Sequence, residues 1–248
     1  MKKTQIPALV VMLALLVLWQ VGAMQLNAAY ILPTPMQILE KIWELRIPLF
    51  TAHLPATLLV TAIGLVISIL FGLMLAILMD ASPAVSRAIY PIIIASQTIP
   101  TTALAPLFVL WFGYSIWSKV LVTVLITFFP ITITVYDGLR SVRTDMVELM
   151  QTYGASRIQI FCKLKMPWAL PYFFSALKMA VPMSLVGAAI GEWLGAQAGL
   201  GYFSRRMITQ LDGAGVFAPI VVLSVAAMLF AGVLALLEKK VIRWRGEQ

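Results

Sequence analysis

Long apolar runs alternate with short polar segments along the chain. Each of the long runs approaches or reaches the roughly 17 to 25 residues that a helix needs to cross about 30 Å of hydrocarbon. They cover residues 6–24, 56–79, 88–110, 116–135, 170–193 and 216–237. The pattern therefore predicts an all-α membrane protein of about six transmembrane helices.

The first apolar run has a second interpretation. Lys2 and Lys3 precede it and the small residues Ala28 and Ala29 follow it, as in a secretory signal peptide and its cleavage region. The run is long for the apolar part of a signal peptide, and its removal would leave an odd number of spans. We therefore interpret it as a transmembrane helix, with a cleaved signal peptide as the alternative.

Basic residues predict the orientation, because lysine and arginine near the ends of spans resist translocation. With the N-terminus inside, the external segments hold Lys41, Arg46, Lys119, Arg205 and Arg206. The larger set falls in the cytoplasmic segments: Lys2, Lys3, Arg87, Arg140, Arg143, Arg157, Lys163, Lys165, Lys239, Lys240, Arg243 and Arg245. Both termini are therefore predicted to be cytoplasmic.

Composition agrees with a bilayer environment, because 61% of the residues are hydrophobic and the mean hydropathy is +0.96. The net charge of +8 is explained by basic loops, without a nucleic-acid partner. One cysteine, Cys162, cannot form an internal disulfide, and one histidine, His53, cannot build a metal site alone. We expect no cofactor in this chain.

A short helix is predicted outside the spans, after the first one. Thr34 is a suitable N-cap, Pro35 suits the first helical position, and Gln37 completes a capping box. Four apolar residues then share one face: Met36, Leu39, Ile42 and Trp43. We interpret the segment as an amphipathic helix at the external membrane interface.

The longest polar stretch, about residues 137–166, follows the fourth run and predicts two short helices. Asp145 and Glu148 have the spacing of a helix start, and Gly154 is a left-handed C-terminal cap. The apolar face of this first helix is formed by Met146, Met150 and Tyr153. In the second helix, Ser156 and Gln159 form a capping box.

The second helix of this loop is predicted to stop at Pro167, after an apolar face of Ile158, Phe161 and Leu164. Two cytoplasmic helices with exposed apolar faces are costly in water unless lipid, the chain itself or a partner covers them. Docking to a partner and packing at the interface both remain open on these grounds.

The same loop resembles the signature of binding-protein-dependent ABC importer permeases, which is Glu-Ala-Ala, three residues, Gly, nine residues, Ile, one residue, Leu-Pro. Here it reads Glu148-Leu149-Met150, Gly154, Leu164 and Met166-Pro167, with every spacing kept and apolar residues at each departure. The resemblance extends over about residues 56–237 and implies the fold of a type I importer permease. Residues 1–55 then hold the first helix and the amphipathic segment, and residues 238–248 form a basic cytoplasmic tail.

The resemblance implies that this coupling loop, residues 137–167, sits in a cleft of an ATPase subunit. The residues concerned are Glu148, Leu149, Met150, Gly154, Ala155, Ser156, Leu164, Met166 and Pro167. The chain has no Gly-Lys pair and hence no phosphate-binding loop of that type, so ATP is expected on the partner. The implied assembly has a second permease copy, two ATP-binding subunits and an extracytoplasmic solute-binding protein, set in the lipid of the bacterial inner membrane.

The third run is interrupted by polar residues and prolines. Gln97, Thr98, Thr101 and Thr102 surround Pro100, where a broken helix with polar groups suits the wall of a translocation pathway. The alternative is a kinked packing helix whose hydroxyls bond to its own carbonyls.

Residues 191–202 resemble the outer end of the fifth span in the branch for nitrate, sulfonates, taurine and thiamine precursors. Glu192 in this stretch should face protein or a water-filled path, because a carboxylate is expensive at membrane depth; a structural partner is equally open. Lys178 either snorkels to the cytoplasm or meets an acid. Similarity around residues 96–100 and 111–114 favours a thiamine-precursor pyrimidine, with sulfonate, taurine and nitrate as alternatives.

Two other classes of membrane protein are alternatives to the importer. A secondary transporter couples transport through intramembrane charges, for which Glu192 and Lys178 are the candidates, but we find no convincing internal repeat. A membrane enzyme needs a cluster of catalytic groups at membrane level, and the chain has none that we can recognise. The sequence therefore predicts a transport subunit that is not itself an enzyme.

Overall fold

A computed structural model describes residues 6–242, and the predicted cytoplasmic residues Lys2, Lys3, Arg243 and Arg245 lie outside this range. The described chain is helical throughout its length, with short turns. The helices are α1 (Ile6–Leu26), α2 (Pro35–Glu44), α3 (Arg46–Pro48), α4 (Leu54–Ala81), α5 (Pro83–Ser96), α6 (Thr101–Phe112), α7 (Ile116–Arg140), α8 (Thr144–Thr152), α9 (Arg157–Ile160), α10 (Met166–Gly195), α11 (Leu200–Thr209) and α12 (Gly213–Val241).

The predicted count of spans is confirmed, with one correction of shape. Within residues 6–242, five helical stretches are long and apolar enough to cross a membrane, and the bent pair α5–α6 makes six if it counts as one span. The third run is therefore not one helix, because its halves meet at an angle of 96°. Pro100 has no backbone N–H to continue the helix, and the hydroxyl of Thr98 donates to the carbonyl of Ala95 at 2.7 Å.

Helix α7 lies at the centre of the fold, with α4 and α10 packed against it. α4 meets α7 through a stripe of small residues at every fourth position: Gly64, Ser68, Gly72 and Ala76. A Cβ atom on Gly64 would lie 2.6 Å from Cγ2 of Thr123, so the two backbones approach too closely for a larger side chain. Such stripes allow close helix packing where lipid is as apolar as the side chains.

The second loop helix continues into the fifth span, so the prediction that Pro167 stops it is wrong. Residues 157–195 form one helical stretch in which a π-helical turn, Phe161–Lys165, precedes α10. Proline in a regular α-helix clashes with the carbonyl four residues earlier and lacks an N–H. The wider π turn just before Pro167 accommodates both features.

Helix α2 begins as predicted, with Thr34 as N-cap and Gln37 closing the capping box. Its apolar residues divide between two faces, however. Ile38 is buried and Ile42 packs into a core cluster with residues of α11 and α12, whereas Met36, Leu39 and Trp43 are exposed. The predicted single face is therefore wrong for Ile42, because α2 packs against α12. The position of α2 at the membrane interface stays a prediction.

Candidate functional site

The first helix of the coupling loop ends in the left-handed turn that the sequence predicts. Gly154 has φ of +77°, a conformation that favours glycine. The N–H of Ala155 donates to the carbonyl of Met150 at 3.0 Å, and the N–H of Gly154 donates to that of Gln151 at 2.9 Å. These two bonds form a Schellman cap, which satisfies the last carbonyls of α8.

Helix α8 starts two residues earlier than predicted. Arg143 is the N-cap and Asp145 lies inside the first turn. The Arg143 guanidinium binds the Asp145 carboxylate and holds the pKa of that carboxyl below its usual value. Acidic groups are favourable in the first turn because the N-terminal N–H groups carry partial positive charge.

The second loop helix begins as predicted. The N–H of Gln159 donates to the Ser156 hydroxyl at 3.3 Å, and the Gln159 side chain accepts from the N–H of Ser156 at 2.8 Å. Residues 154–156 therefore form a short turn that is capped on both sides. Hydrogen bonds that depend on local sequence therefore define the turn between the two loop helices.

Large apolar side chains are exposed at the tip of this loop. Leu149, Tyr153 and Ile158 are 57%, 83% and 75% exposed. Glu148, Gly154, Ser156, Met166 and Pro167 are also exposed, whereas Met150, Ala155 and Leu164 are half-buried. The predicted apolar faces are thus divided, because some members pack on the chain while Tyr153 and Ile158 point away from it. An exposed surface of this kind is typical of a protein interaction site.

An ion pair anchors the loop to the fourth helix. The Lys165 ammonium lies 2.6 and 2.9 Å from the two carboxylate oxygens of Asp80, at the end of α4. Sequence reasoning did not find this contact, since the two residues are 85 positions apart and Lys165 occupies the unspecified position of the signature between Leu164 and Met166.

The candidate pathway residues cluster at the break between α5 and α6. Gln97, Thr98 and Thr102 are exposed and Thr101 is half-buried. The hydroxyl of Thr98 donates to the carbonyl of Ala95 in its own turn, so a carbonyl near the break is hydrogen-bonded by a local hydroxyl, as predicted. The amide of Gln97 and the hydroxyl of Thr102 stay on the surface of the single chain.

Glu192 lies elsewhere, inside the chain and 1% exposed, and it caps the N-terminus of α11. The N–H of Gly201 donates to its Oε2 at 2.8 Å. The two N–H groups before it donate to side chains of α4 and of the turn that precedes α4. The N–H of Leu200 donates to Oγ1 of Thr57 at 2.8 Å, and the N–H of Gly199 donates to Nδ1 of His53 at 3.2 Å. Three consecutive N–H groups are therefore satisfied by three side chains.

This arrangement brings together residues that the sequence separates. His53 serves as a hydrogen-bond acceptor for the loop before α11, and no motif predicted that use. Lys178 forms an ion pair with Glu238 of α12, so of the two alternatives for this lysine the acidic partner is the one observed. The place of Glu192 in the pathway stays a prediction.

The family of this chain is shown by its similarity to known proteins. A family model described as "Binding-protein-dependent transport system inner membrane component" matches residues 68–243. The chain belongs to this family. The permease is 52% identical to the formylaminopyrimidine transport permease protein ThiX of Halalkalibacterium halodurans over 236 residues, which cover 95% of this chain and 94% of the relative. It is 32% identical to the taurine transport system permease protein TauC of Escherichia coli, with 94% and 87% coverage.

The fold also matches a solved importer. The MetNI methionine ABC transporter, determined in inward-facing conformations, aligns with a TM-score of 0.56 and 19% identity, over 85% of the permease and 97% of that chain. The fold is thus that of a type I importer permease. The permease is an inner-membrane subunit of an ATP-driven importer, and the sequence prediction of that class is confirmed.

Proposed function

We propose that this permease imports a formylaminopyrimidine of the thiamine-precursor class. The observation that carries the proposal is the identity of 52% with a formylaminopyrimidine permease, sustained over nearly the full length of both chains. Sulfonate, taurine and nitrate carriers are the competing assignments within the same family.

The chemistry of the proposed pathway supports a neutral polar solute. The break between α5 and α6 offers the amide of Gln97 and the hydroxyls of Thr98 and Thr102, and residues 96–102 contain no charged side chain. Amides and hydroxyls both donate and accept hydrogen bonds, as amino and formyl groups on a pyrimidine require. A sulfonate is recognised better by arginine or lysine.

Uptake measurements test the substrate. The permease is reconstituted in proteoliposomes with its ATPase and solute-binding protein, and ATP-dependent accumulation of labelled formylaminopyrimidine is followed. We expect accumulation that a large excess of taurine leaves unchanged. Accumulation of taurine or an alkyl sulfonate in place of the pyrimidine would reject the assignment while leaving the importer class intact.

We propose further that the exposed tip of the coupling loop binds the ATPase subunit, which binds and hydrolyses ATP. Leu149, Tyr153 and Ile158 supply an apolar surface, and the capped turn at Gly154 holds the two loop helices in a fixed relation. Closure of the ATPase pair on ATP then moves the loop. Because Lys165 is paired with Asp80, that movement is passed to α4 as well as to α10.

Variants at Gly154 separate the backbone requirement from the side chain. Gly154→Val places a β-branched residue at positive φ, at a cost of about 1–2 kcal/mol, whereas asparagine tolerates this conformation. We expect the wild type and Gly154→Asn to co-purify with the ATPase and Gly154→Val to lose it. Equal recovery of the ATPase with all three proteins would remove the loop from the interface.

Two copies of the permease are proposed to pair about a two-fold axis that contains the path, with the solute-binding protein on the external side. Support comes from the exposed polar break between α5 and α6, which in one chain forms only an open surface. A closed path around a solute requires a second wall, and symmetric pairing is the simplest way to supply it.

A further inference from the structure

A cavity of about 480 Å³ lies beside the coupling loop, where the ends of α4, α5 and α7 converge. Its lining includes three basic side chains, Arg87, Arg140 and Lys165, and one acidic side chain, Asp80. Lys165 and Asp80 neutralise each other as an ion pair. The two arginines, on different helices, therefore leave the cavity with positive charge that its own lining does not balance.

Both guanidinium groups are oriented by the protein without being satisfied by it. Arg140 donates through Nη1 to the Tyr136 hydroxyl at 3.1 Å, and Arg87 donates through Nε to the Pro83 carbonyl at 3.3 Å. Among the described residues neither arginine has a carboxylate within ion-pair distance; Asp137 interacts with Arg140 only electrostatically. Since a guanidinium carries five N–H donors, most of them remain available in the cavity.

Other donors face the same space. The hydroxyls of Ser86 and Tyr136 line the cavity and bond to each other. Guanidinium groups and hydroxyls in one cavity are the combination that recognises phosphate oxygens.

We propose that this cavity binds a phosphate-bearing anion through Arg87 and Arg140. Basic pockets between transmembrane helices on the cytoplasmic side suit anionic lipid headgroups, and a free phosphate from the cytoplasm presents the same oxygens. The bound anion bridges α5 and α7. Because Thr144 and Val147 of α8 form part of the cavity wall, the bound anion also contacts α8 and so stabilises the start of the coupling loop.

The test uses the purified full-length permease in a neutral detergent. Dioctanoyl phosphatidylglycerol, dioctanoyl phosphatidylcholine and inorganic phosphate are titrated separately by calorimetry. The test variant is Arg87→Gln/Arg140→Gln. Lys163→Gln/Lys239→Gln is the matched control, since it removes the same charge from exposed cytoplasmic residues outside the cavity. We expect at least roughly tenfold weaker binding of the anion in the test variant and unchanged affinity in the control.

The outcomes distinguish the source of the phosphate. Saturable binding of phosphatidylglycerol alone supports a lipid headgroup, and binding of inorganic phosphate that competes with it supports a free anion. Equal binding of phosphatidylglycerol and phosphatidylcholine without phosphate binding overturns the proposal, as does equal affinity in the test and control variants. If the double glutamine variant aggregates, the single variants Arg87→Gln and Arg140→Gln are titrated separately, and undiminished affinity in both of them overturns the proposal too.

Discussion

Glu192 is a buried carboxylate of α10 that binds the start of α11, where its Oε2 accepts the N–H of Gly201. The two preceding N–H groups, of Gly199 and Leu200, donate to His53, in the turn before α4, and to Thr57 of α4. The contact is made inside a single chain. Its first consequence is therefore for folding of the external half of the permease, whatever else the carboxylate does.

The size of that contribution is predictable from the hydrogen bond. Glu192→Ala leaves the N–H of Gly201 buried without a partner, which costs about 1–3 kcal/mol. Glu192→Gln should cost clearly less, since the amide oxygen can accept the same N–H. The free energy of unfolding in mixed micelles measures both, with the exposed Glu40→Ala as control. If glutamine destabilised as much as alanine, the charge and not the hydrogen bond would be the important property.

At the scale of elements, the ion pair between Asp80 and Lys165 ties the loop to α4. The Asp80 side chain is 8% exposed and that of Lys165 is 23% exposed, so removal of either partner leaves a poorly hydrated charge. We expect Asp80→Asn and Lys165→Met to destabilise the permease non-additively, with a coupling energy of about 1–3 kcal/mol in a double-mutant cycle.

The loop provides its own control for this cycle. Arg143 and Asp145 also form an ion pair, but their side chains are 68% and 58% exposed. Exposed pairs contribute about 0.2–1 kcal/mol, because water and salt screen them. A coupling energy for Asp80–Lys165 no larger than that of the exposed pair would show that the loop is held by packing alone.

Helix α2 is attached to the N-cap residue of α12 by a second ion pair, Lys41–Asp212, whose contribution to stability depends on pH. Lys41 lies 3.1 Å from both Glu44 and Asp212, and the hydrogen bond to Glu44 followed by that to Asp212 raises the pKa of Lys41 against the opposing effect of burial. A raised pKa means that the stabilisation is complete below the ordinary lysine value of about 10.4 and is lost as pH rises through the higher folded-state value.

Comparison of the wild type with Lys41→Met isolates this contribution. We expect the wild type to melt no more than about 2–4 °C above the variant. That difference should stay constant through neutral pH and disappear only at strongly alkaline pH. Thermal unfolding of both proteins in one detergent, over a series of buffers, measures it. A difference that vanished near neutral pH would assign the effect to another group.

At the scale of the whole molecule, the proposed dimer makes a prediction about proximity. Cys162 is the only cysteine, so Cys162→Ser gives a background in which an introduced cysteine reports alone. Thr98→Cys at the exposed break should form covalent dimers on mild oxidation in membranes, if two copies meet around the path. The Cys162→Ser parent should stay monomeric on the gel. Persistent monomer with Thr98→Cys would argue for a different pairing surface or for an unlike partner.

The sequence by itself determined the features that depend on neighbouring residues and on the membrane. The apolar runs predicted the spans, and the capping pairs Thr34–Gln37 and Ser156–Gln159 and the turn at Gly154 are formed as expected. Bilayer thickness and backbone capping act over a few turns of helix, so they leave local patterns that can be read directly. The class was predicted differently, from the resemblance of the loop spacing to the signature of a known family, and the family match confirms it.

Only the tertiary structure decided which side chains meet across helices. The contacts of Glu192 with α11, of Leu200 with Thr57 and of Lys165 with Asp80 join residues that no local rule pairs. The small residues from Gly64 to Ala76 lie at every fourth position of α4, and only the structure shows that α7 packs against them. Such contacts depend on how whole helices pack and on where a π turn or a break redirects them, and a pattern along one helix does not contain that information.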